Sequence, residues 1–482
     1  MIEQTGLKIS RKSFFSSVII LFILMVLAGV LTRAIPAGTY GRMTIDGRES
    51  IVADSFRFIG KVDYPIYRWF MAPLEILRGS DAQTIIVIIL FLLFIGSTFA
   101  VLDRSGILRF IMETIVKKYE KRKYLLMGIL ILFFMLFGSL FGIFEELIIL
   151  VPLAITLSYS FGWDSLVGLG MSLMASGFGF AAAIFNPFTL GVAQKLADLP
   201  AYSGTAYRVL SFVIIYLVLF AFLYFYARRI EKSPELSSVY EEDRSVRTKY
   251  VFDEKHTTLG NSKLALAVRV YVGFMALMIL VILSGFFSPA ISEITLPLVA
   301  VIFLVGGITS GLVSGYKTGM LLKDLARGFV SMLPAVVLIL MAMSIKHIMM
   351  SGSTMDTILY YASGAIGKLS PNTALLSLYL LILFMDFFIA SGSAKAFLVM
   401  PIIVPLTDII GITRQTTVLA FCFGDGFSNL IFPTNPTLMI ALGLTVVSYP
   451  KWIRWSIKLQ AVIFVITVVM LFAANRFAYG PF

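Results

Sequence analysis

Apolar runs of about 20 residues, each long enough to cross a bilayer of about 30 Å as a helix, recur along this chain from Phe14 to Phe472. Hydrophobic residues make up 59% of the 482 residues and charged residues 14%. That leaves too little polar surface to cover an apolar core in water. Backbone N–H and C=O groups in lipid must be paired within the chain, which a helix does locally. The sequence therefore predicts an all-α polytopic membrane protein.

The formal net charge of +12 does not indicate nucleic acid. The basic residues stand in short loops beside apolar spans and form no patch interleaved with aromatic residues. The first apolar stretch, 14–34, follows Lys8 but is longer than a signal-peptide core and lacks a clean cleavage site, so we expect a retained start-transfer helix. Cys422 is the single cysteine, and His256 and His347 are far apart. We therefore expect no disulfide, no histidine metal cluster and no cofactor.

Seven stretches are predicted to be plain spanning helices: 14–34, 84–101, 206–228, 265–286, 294–313, 329–350 and 455–476. Four others are interrupted near mid-length. The segments 124–161 and 372–410 carry small and charged residues in the middle, and 164–200 and 412–447 carry Gly, Asn and Pro. We interpret the first pair as hairpins, whose polar tips favour re-entrance, and the second pair as broken helices that each cross once.

Lysine and arginine counts in short loops predict the orientation. Basic residues mark four inner loops, at 102–123, at 229–264, around Lys317 to Arg327 and around Lys451 to Lys458. The loops near 200–206 and 351–371 hold almost none and are placed outside, as is 35–82. This gives nine crossings and two hairpins, with the N terminus cytoplasmic and the C terminus outside. We expect the cytoplasmic (inner) membrane of a prokaryote.

The second half of the chain matches the first at an offset of 249, the difference between 435 and 186. Pro152 meets Pro401, Gly162 meets Gly411, Gly177-Phe178 meets Gly426-Phe427 and Asn186-Pro187 meets Asn435-Pro436. Helix punctuators match by chance less easily than leucines do. The charge count places Arg78 outside and its counterpart Arg327 inside, which predicts inverted repeats. The predicted units are 1–228, a cytoplasmic linker 229–264, and 265–482, which has one extra helix.

Two interrupted regions, named here the first cradle (176–189) and the second cradle (425–437), are candidate ligand sites. Gly and Pro free backbone groups that lipid cannot satisfy, so these groups must face protein, water or a ligand. Helix N-termini after Pro187 and Pro436 would favour a carboxylate. The oxygens of Asn186, Asn435 and Thr434 could bind sodium or substrate, and Thr189 also belongs to the candidate site. Helix capping by the two asparagines is the alternative.

The hairpin tips carry the charged candidates. The first tip (138–146) holds Ser139, Gly142, Glu145 and Glu146, and the second tip (386–395) holds Asp386, Ser391, Ser393 and Lys395. Ionised groups inside a membrane are costly and mark functional sites. Neighbouring residues on a helix point about 100° apart, so one of the two glutamates should face the site.

Two alternatives stay open for the remaining charges. Lys395 could bind a substrate carboxylate or form a structural ion pair with a glutamate between the two hairpins. Asp386 and Asp425 could carry protons or lock helices by hydrogen bonds. Lys346 and His347, near a span end, are expected to snorkel.

The competing classes lack their motifs. Gly-x-Gly-Asp, which an intramembrane aspartyl protease needs, is absent because Cys422-Phe423-Gly424 precedes Asp425. His-Glu-x-x-His and Gly-x-Ser-x-Gly with a histidine partner are absent too, so we expect no catalytic residues. A channel fits poorly, because matched hairpins suit a closed, movable site, and a Walker motif for ATP is missing.

A resemblance rests on several runs: Ser391 to Lys395, Thr413 to Gln415, Phe423 to Asn429, Pro433-Thr434, Glu145-Glu146 and Asn186 to Gly191. They resemble the YfcC-type branch of the C4-dicarboxylate anaerobic carrier (DcuC-like) family, within the ion transporter superfamily. Ile35 to Tyr40 fits the same family, so the resemblance covers nearly the whole chain. It implies a scaffold and a transport domain with elevator-type movement, and a homodimer. The second cradle departs from the family, with Asn435-Pro436 where Ser-Gly is expected.

Family substrates are C4-dicarboxylates for some relatives and basic amino acids, as in exchange of arginine for ornithine, for others. A dicarboxylate site should be rich in positive charge, whereas Glu145, Glu146 and Asp425 here face the single Lys395. We therefore expect a secondary active transporter for an amino acid, with a basic one preferred. Its carboxylate would bind at helix N-termini or Lys395 and its cationic end at Glu145 or Glu146. A C4-dicarboxylate carrier coupled to sodium or protons is the alternative, and a membrane-embedded enzyme is a remote one.

Overall fold

The chain is almost entirely helical in the computed structural model, which describes residues 11–45, 48–60, 62, 64–79, 82–247, 258–287 and 289–480. Lys8 and His256 lie outside the described residues. The helices of the first half are α1 (Arg11–Ala34), α2 (Ile66–Glu75), α3 (Ala82–Arg104), α4 (Ile107–Tyr119), α5 (Lys123–Leu136), α6 (Val151–Ser160), α7 (Ser165–Leu169), α8 (Ala175–Ala182), α9 (Val192–Leu196), α10 (Thr205–Lys232) and α11 (Tyr240–Arg247). Those of the second half are α12 (Ser262–Phe287), α13 (Pro289–Val313), α14 (Thr318–Ser351), α15 (Met355–Ile366), α16 (Pro371–Asp386), α17 (Gly392–Ile410), α18 (Arg414–Ser428), α19 (Pro436–Gly443) and α20 (Tyr449–Arg476).

Ten of the described helices are long and apolar enough to cross a membrane, which makes this a multi-pass membrane protein. All seven stretches predicted as plain spans are helical, in α1, α3, α10, α12, α13, α14 and α20. All four interrupted stretches are helices with a break. Hairpin geometry within the membrane, inversion of the repeats and the direction of each crossing stay predictions.

Four short strands lie between α1 and α2, in the 35–82 segment that was predicted to lie outside the membrane, and the rest of the described chain is helical or loop. They are β1 (Gly38–Thr39), β2 (Arg42–Ile45), β3 (Arg48–Ile51) and β4 (Arg57–Phe58). β1 pairs with β4 and β2 with β3, both antiparallel. An ion pair of 3.0 Å joins Arg42 to Asp356, and the buried Ser50 hydroxyl donates to the Phe397 carbonyl oxygen at 3.0 Å. This segment is therefore fastened to α15 and α17.

Three stretches assigned to loops by their charge are in fact helical. The 102–123 stretch contains α4, the 351–371 stretch contains α15, and α14 begins at Thr318, inside the third basic loop. On α4, Ile107, Leu108, Phe110, Met112 and Val116 are buried while the lysines stay outside. An amphipathic helix carries the same basic residues as a loop, so the charge count cannot separate the two.

The helices form two groups. In the first group α3 packs against α13 and α14, α12 packs against α13, and α1 packs against α14. The second group contains α5 to α10 and α16 to α20. At its centre is the run from Ser165 to Leu196; in the most apolar 18-residue stretch of this run 94% of the residues are buried, against 28% in that of α10. The broken helices are thus enclosed by the plain ones.

The linker helix α11 docks on the start of the first broken helix. The Asp243 carboxylate accepts hydrogen bonds from the Tyr159 hydroxyl at 2.7 Å and from the Ser165 backbone N–H at 2.8 Å. Asp164 caps the same helix by accepting from the Val167 N–H. Burial raises the pKa of Asp243 to about 7. The two carboxylates supply acceptors for N–H groups that α7 leaves free at its start.

Element boundaries repeat at the offset of 249. Gly162 and its counterpart Gly411 each have φ +82° and each precede a broken helix. At the crossing of α8 and α18, counterparts touch: the Phe178 and Phe427 rings are 5.3 Å apart, edge to face. Gly177 lies against Leu430, and its counterpart Gly426 lies against Ala181. Since Ala181 and Leu430 are also counterparts, the contact is reciprocal, as a two-fold relation between the halves requires.

Gly426 should tolerate no side chain, because an added Cβ would lie 2.2 Å from the Ala181 Cα. We expect Gly426→Ala to destabilise the protein by about 1–3 kcal/mol through overpacking. Thermal unfolding of the purified protein in detergent measures this. Gly273→Ala, on α12 with nothing within 4 Å, is the matched control and should leave stability unchanged or slightly raised. Equal melting temperatures for the two variants would contradict the crossing described.

Candidate functional site

Both Asn-Pro pairs cap a helix that resumes after a break. The Asn186 Oδ1 accepts from the Phe188 and Thr189 N–H groups at 2.9 and 3.2 Å, and the Asn435 Oδ1 accepts from Leu438 N–H at 3.2 Å. Pro187 and Pro436 stand in the first turn, where a missing N–H costs nothing. Capping, the alternative given above, therefore occupies the oxygens proposed to bind sodium.

Several polar atoms of the cradles are buried without a hydrogen-bond partner. They include the Asn186 Nδ2 and the hydroxyl of Thr434. The Asn435 Nδ2 donates to the Asn429 Oδ1, and Asn429 donates in turn to the Asp425 carbonyl oxygen. Unsatisfied buried polar atoms are rare in proteins, and their concentration here is consistent with a ligand site.

The first tip docks on the first cradle. The Ser139 hydroxyl accepts from the Ile184 N–H at 3.0 Å, and the Ser139 carbonyl oxygen accepts from the Phe185 N–H. Gly142 has φ +66°, and a Cβ there would lie 2.3 Å from the Asn186 Oδ1. Glycine is thus required twice over at this position, by conformation and by space.

The second tip reaches the same cradle. Ser391 caps α17 by accepting from the Ala394 N–H, and the Ser393 hydroxyl donates to the Phe188 carbonyl oxygen at 2.7 Å. A Cβ on Gly392 would lie 2.5 Å from the Thr189 Cγ2 and 2.7 Å from the Asp425 Oδ2. The structure therefore brings together candidates from both halves of the sequence.

Of the two glutamates, Glu145 is the one that lines a crevice, which in this structure is too narrow to hold a water molecule. Its side chain is exposed, while Glu146 is half-buried. The crevice is lined by Ile88, Phe91 and Leu296 on one side and by Pro436, Thr437 and Ile440 on the other. Glu145 thus lies between the first group of helices and the start of α19. That one of the two glutamates faces the substrate site stays a prediction.

Lys395 is held between two aspartates. Its Nζ donates to the Asp386 Oδ1 and, at 2.8 Å, to the Asp425 Oδ1. All three side chains are 0% exposed. Lys395 therefore forms its ion pairs with the two aspartates and not with Glu145. It also has no open space beside it in which a substrate carboxylate could bind. Asp386 belongs to this cluster together with Asp425, so both acids that were considered as proton carriers or helix locks lie against Lys395.

With every carboxyl group counted as ionised, these residues give the region a formal net negative charge. Lys395 is neutralised by one of its two aspartates, which leaves one aspartate and the two glutamates. Among the described residues of the tips and cradles, no second lysine or arginine balances them. Such a site favours a ligand that brings positive charge.

Ten described apolar helices, the first broken helix among them, with charged side chains held where the breaks meet, define a polytopic membrane protein of the transporter class. The family model of the C4-dicarboxylate anaerobic carrier matches residues 14–476, and the chain belongs to this family.

Two relatives align over nearly their full length. The chain is 30% identical over 495 residues to a protein of Escherichia coli (strain K12) named "Putative basic amino acid antiporter YfcC", with 96% of each chain covered. It is 22% identical over 503 residues to an uncharacterised protein of Haemophilus influenzae, covering 95% of this chain and 96% of that one. Among solved structures, the YdaH transporter of Alcanivorax borkumensis is 17% identical with a TM-score of 0.43, covering 97% of this chain and 100% of that one.

Removing the Lys395 charge should leave the buried carboxylates of Asp386 and Asp425 without a positive partner. We expect Lys395→Met to destabilise the folded protein by about 3–5 kcal/mol, the usual cost of breaking a buried ion pair. Lys368→Met, at an exposed position, is the control and should change stability by less than about 0.5 kcal/mol. Unfolding in detergent at neutral pH gives both values. A Lys395→Met protein as stable as the control would contradict the buried pairing.

Proposed function

We propose that this protein is a secondary active transporter for a small carboxylate-bearing metabolite, and that this metabolite is an amino acid, with a basic one such as arginine or ornithine preferred. One observation carries the preference. Lys395, the positive charge at the tips, forms ion pairs with Asp386 and Asp425, whereas Glu145 is an exposed residue that lines the crevice. The name of the Escherichia coli relative agrees with this substrate class.

If the helices on its two sides move apart, the crevice would offer complementary ends to an amino acid. Glu145 would bind the ammonium or guanidinium group, since a desolvated carboxylate attracts a cation strongly. The start of α19, next to Pro436 and Thr437, presents the positive end of a helix to the substrate carboxylate. The carboxylate is therefore assigned to the helix start and no longer to Lys395.

A C4-dicarboxylate is the second candidate, favoured by the description of the family model. Such a substrate would place one of its carboxylates beside Glu145, which is repulsive unless a cation or proton comes with it. Sodium or proton coupling would thus be obligatory for a dicarboxylate. Exchange of amino acids would need no such ion.

For the transport step we propose alternating access by an elevator-type movement of one helix group against the other. The first group, α1, α3 and α12 to α14, would be the scaffold, and the group holding the tips and cradles would move. The reciprocal contact at Phe178 and Phe427 supports a repeat relation between the two halves. Alternating access needs such a relation, because equivalent halves can exchange conformations. The N terminus would lie in the cytoplasm, and the assembly would be a homodimer.

Transport in liposomes tests the substrate. Purified protein is reconstituted in vesicles loaded with unlabelled arginine, and entry of labelled arginine, ornithine, alanine, succinate and malate is measured with and without sodium. We expect entry of a basic amino acid that depends on a loaded counter-substrate. Entry of succinate or malate without that of any amino acid would overturn the assignment.

Glu145 should matter more than its neighbour. We expect Glu145→Gln to lower the initial rate of arginine exchange at least about tenfold, since loss of one charge-assisted contact to the substrate costs about 1.4 kcal/mol or more. Glu146→Gln is the matched control, with the same charge change one residue away on a half-buried side chain, and should keep most of the rate. The opposite order would move the substrate to Glu146.

A further inference from the structure

A net negative charge is enclosed at the second tip. Asp386, Lys395 and Asp425 are each 0% exposed, and together they carry one more negative charge than positive charge. Lys395 uses the Oδ1 atom of each aspartate, and the Oδ2 atoms of both accept no hydrogen bond. A buried ion without full compensation is expensive, so a cluster of this charge should bind a cation or a proton in at least one state of the protein.

The cluster lies at a junction of moving parts of the proposed mechanism. Asp386 ends α16, Lys395 is in the first turn of α17 and Asp425 is in α18. Between Lys395 and the first cradle stands Gly392, which is packed against both Thr189 and the free Oδ2 of Asp425. A shift of the second tip would therefore change the surroundings of that oxygen.

The groups around the cluster leave the proton as the favoured occupant. The Ser428 hydroxyl lies beside Asp386, and the Cys422 thiol lies one turn before Asp425 with Arg208 beyond it. From the first cradle the facing side chain is the uncharged Thr189. A metal cation at the free Oδ2 atoms would lie close to the Lys395 ammonium group, which is bound to the same two carboxylates and would repel it. A proton adds to one Oδ2 without displacing Lys395.

We propose that the Asp386–Lys395–Asp425 cluster binds one proton on a carboxylate oxygen that Lys395 leaves free, and releases it to water when a cationic substrate binds nearby. An O–H bond forms on one aspartate, while the other stays ionised and paired with Lys395, so the protonated cluster is neutral. The release follows from the proposed function, because it requires a positively charged substrate.

Proton release on binding measures this directly. Purified protein in weakly buffered detergent solution is mixed with arginine, ornithine or succinate, and a pH-indicator dye reports the protons exchanged at neutral pH. A thermal shift in parallel reports which ligand binds. We expect about one proton released per bound arginine, and at least a fivefold smaller release in Asp425→Asn and Asp386→Asn. Asp408→Asn, an exposed change on α17, should behave as the unchanged protein does.

The outcomes separate the two proposals. Arginine binding without proton exchange in the unchanged protein would overturn the proton site and leave the transport assignment standing. Full release in both aspartate variants, with loss in Glu145→Gln, would place the proton on Glu145 and also overturn it. Binding of succinate alone would overturn the amino acid assignment. If the unchanged protein then took up a proton with succinate and the Asp425→Asn variant did not, the cluster would still be supported as a proton site. Since the first result needs no variant, the test survives a variant that fails to fold.

Discussion

The breaks in the helices impose the constraint on which the rest of this structure depends. A helix interrupted away from water leaves N–H and C=O groups that must find partners in the protein. Asn186 and Asn435 supply acceptors for the helices that resume, and Ser139 and Ser391 do so for neighbouring segments. Backbone can meet backbone this closely only where side chains are small, hence Gly138 against the Ser176 carbonyl oxygen and Gly179 against that of Met135. Tips and cradles are therefore one interlocked unit.

Burial of charge within this unit changes the argument about the substrate. A lysine in a membrane-spanning segment would ordinarily be a natural anion site. Lys395, however, is ion-paired with two aspartates on separate helices, and none of the three side chains has exposed surface. Exposed charge at the site is then negative, at Glu145, and the positive element that can meet a carboxylate is the helix start at Pro436. The proposed preference for a substrate with a cationic end therefore rests on Glu145 and the helix start at Pro436, whereas the sequence also allowed Lys395 to bind the carboxylate.

Much of the fold could be predicted because spans and breaks are local properties. Length and hydrophobicity define α1, α3, α10, α12 to α14 and α20, and Gly, Asn and Pro mark where helices stop. The partners of Lys395 could not be predicted: Asp386 precedes it by 9 residues and Asp425 follows it by 30, and only packing brings them together. Charge counts failed for α4 and α15, since helix and loop carry the same charges. The asparagines could not be assigned between capping and ligand binding, because both roles require the same oxygen at the same place.

The two halves share a backbone plan but differ in chemistry. At the offset of 249, Gly162 and Gly411 adopt the same conformation, and Asn186 and Asn435 make the same cap. Lys395, however, corresponds to Glu146, so the counterpart positions carry opposite charge. Equivalent backbones allow two conformations of similar energy, as alternating access needs. The charges break that equivalence at the tips: one tip places its acid in a crevice, and the other encloses its lysine between two acids. The proposed substrate recognition and the proposed proton binding would then reside on different halves of the chain.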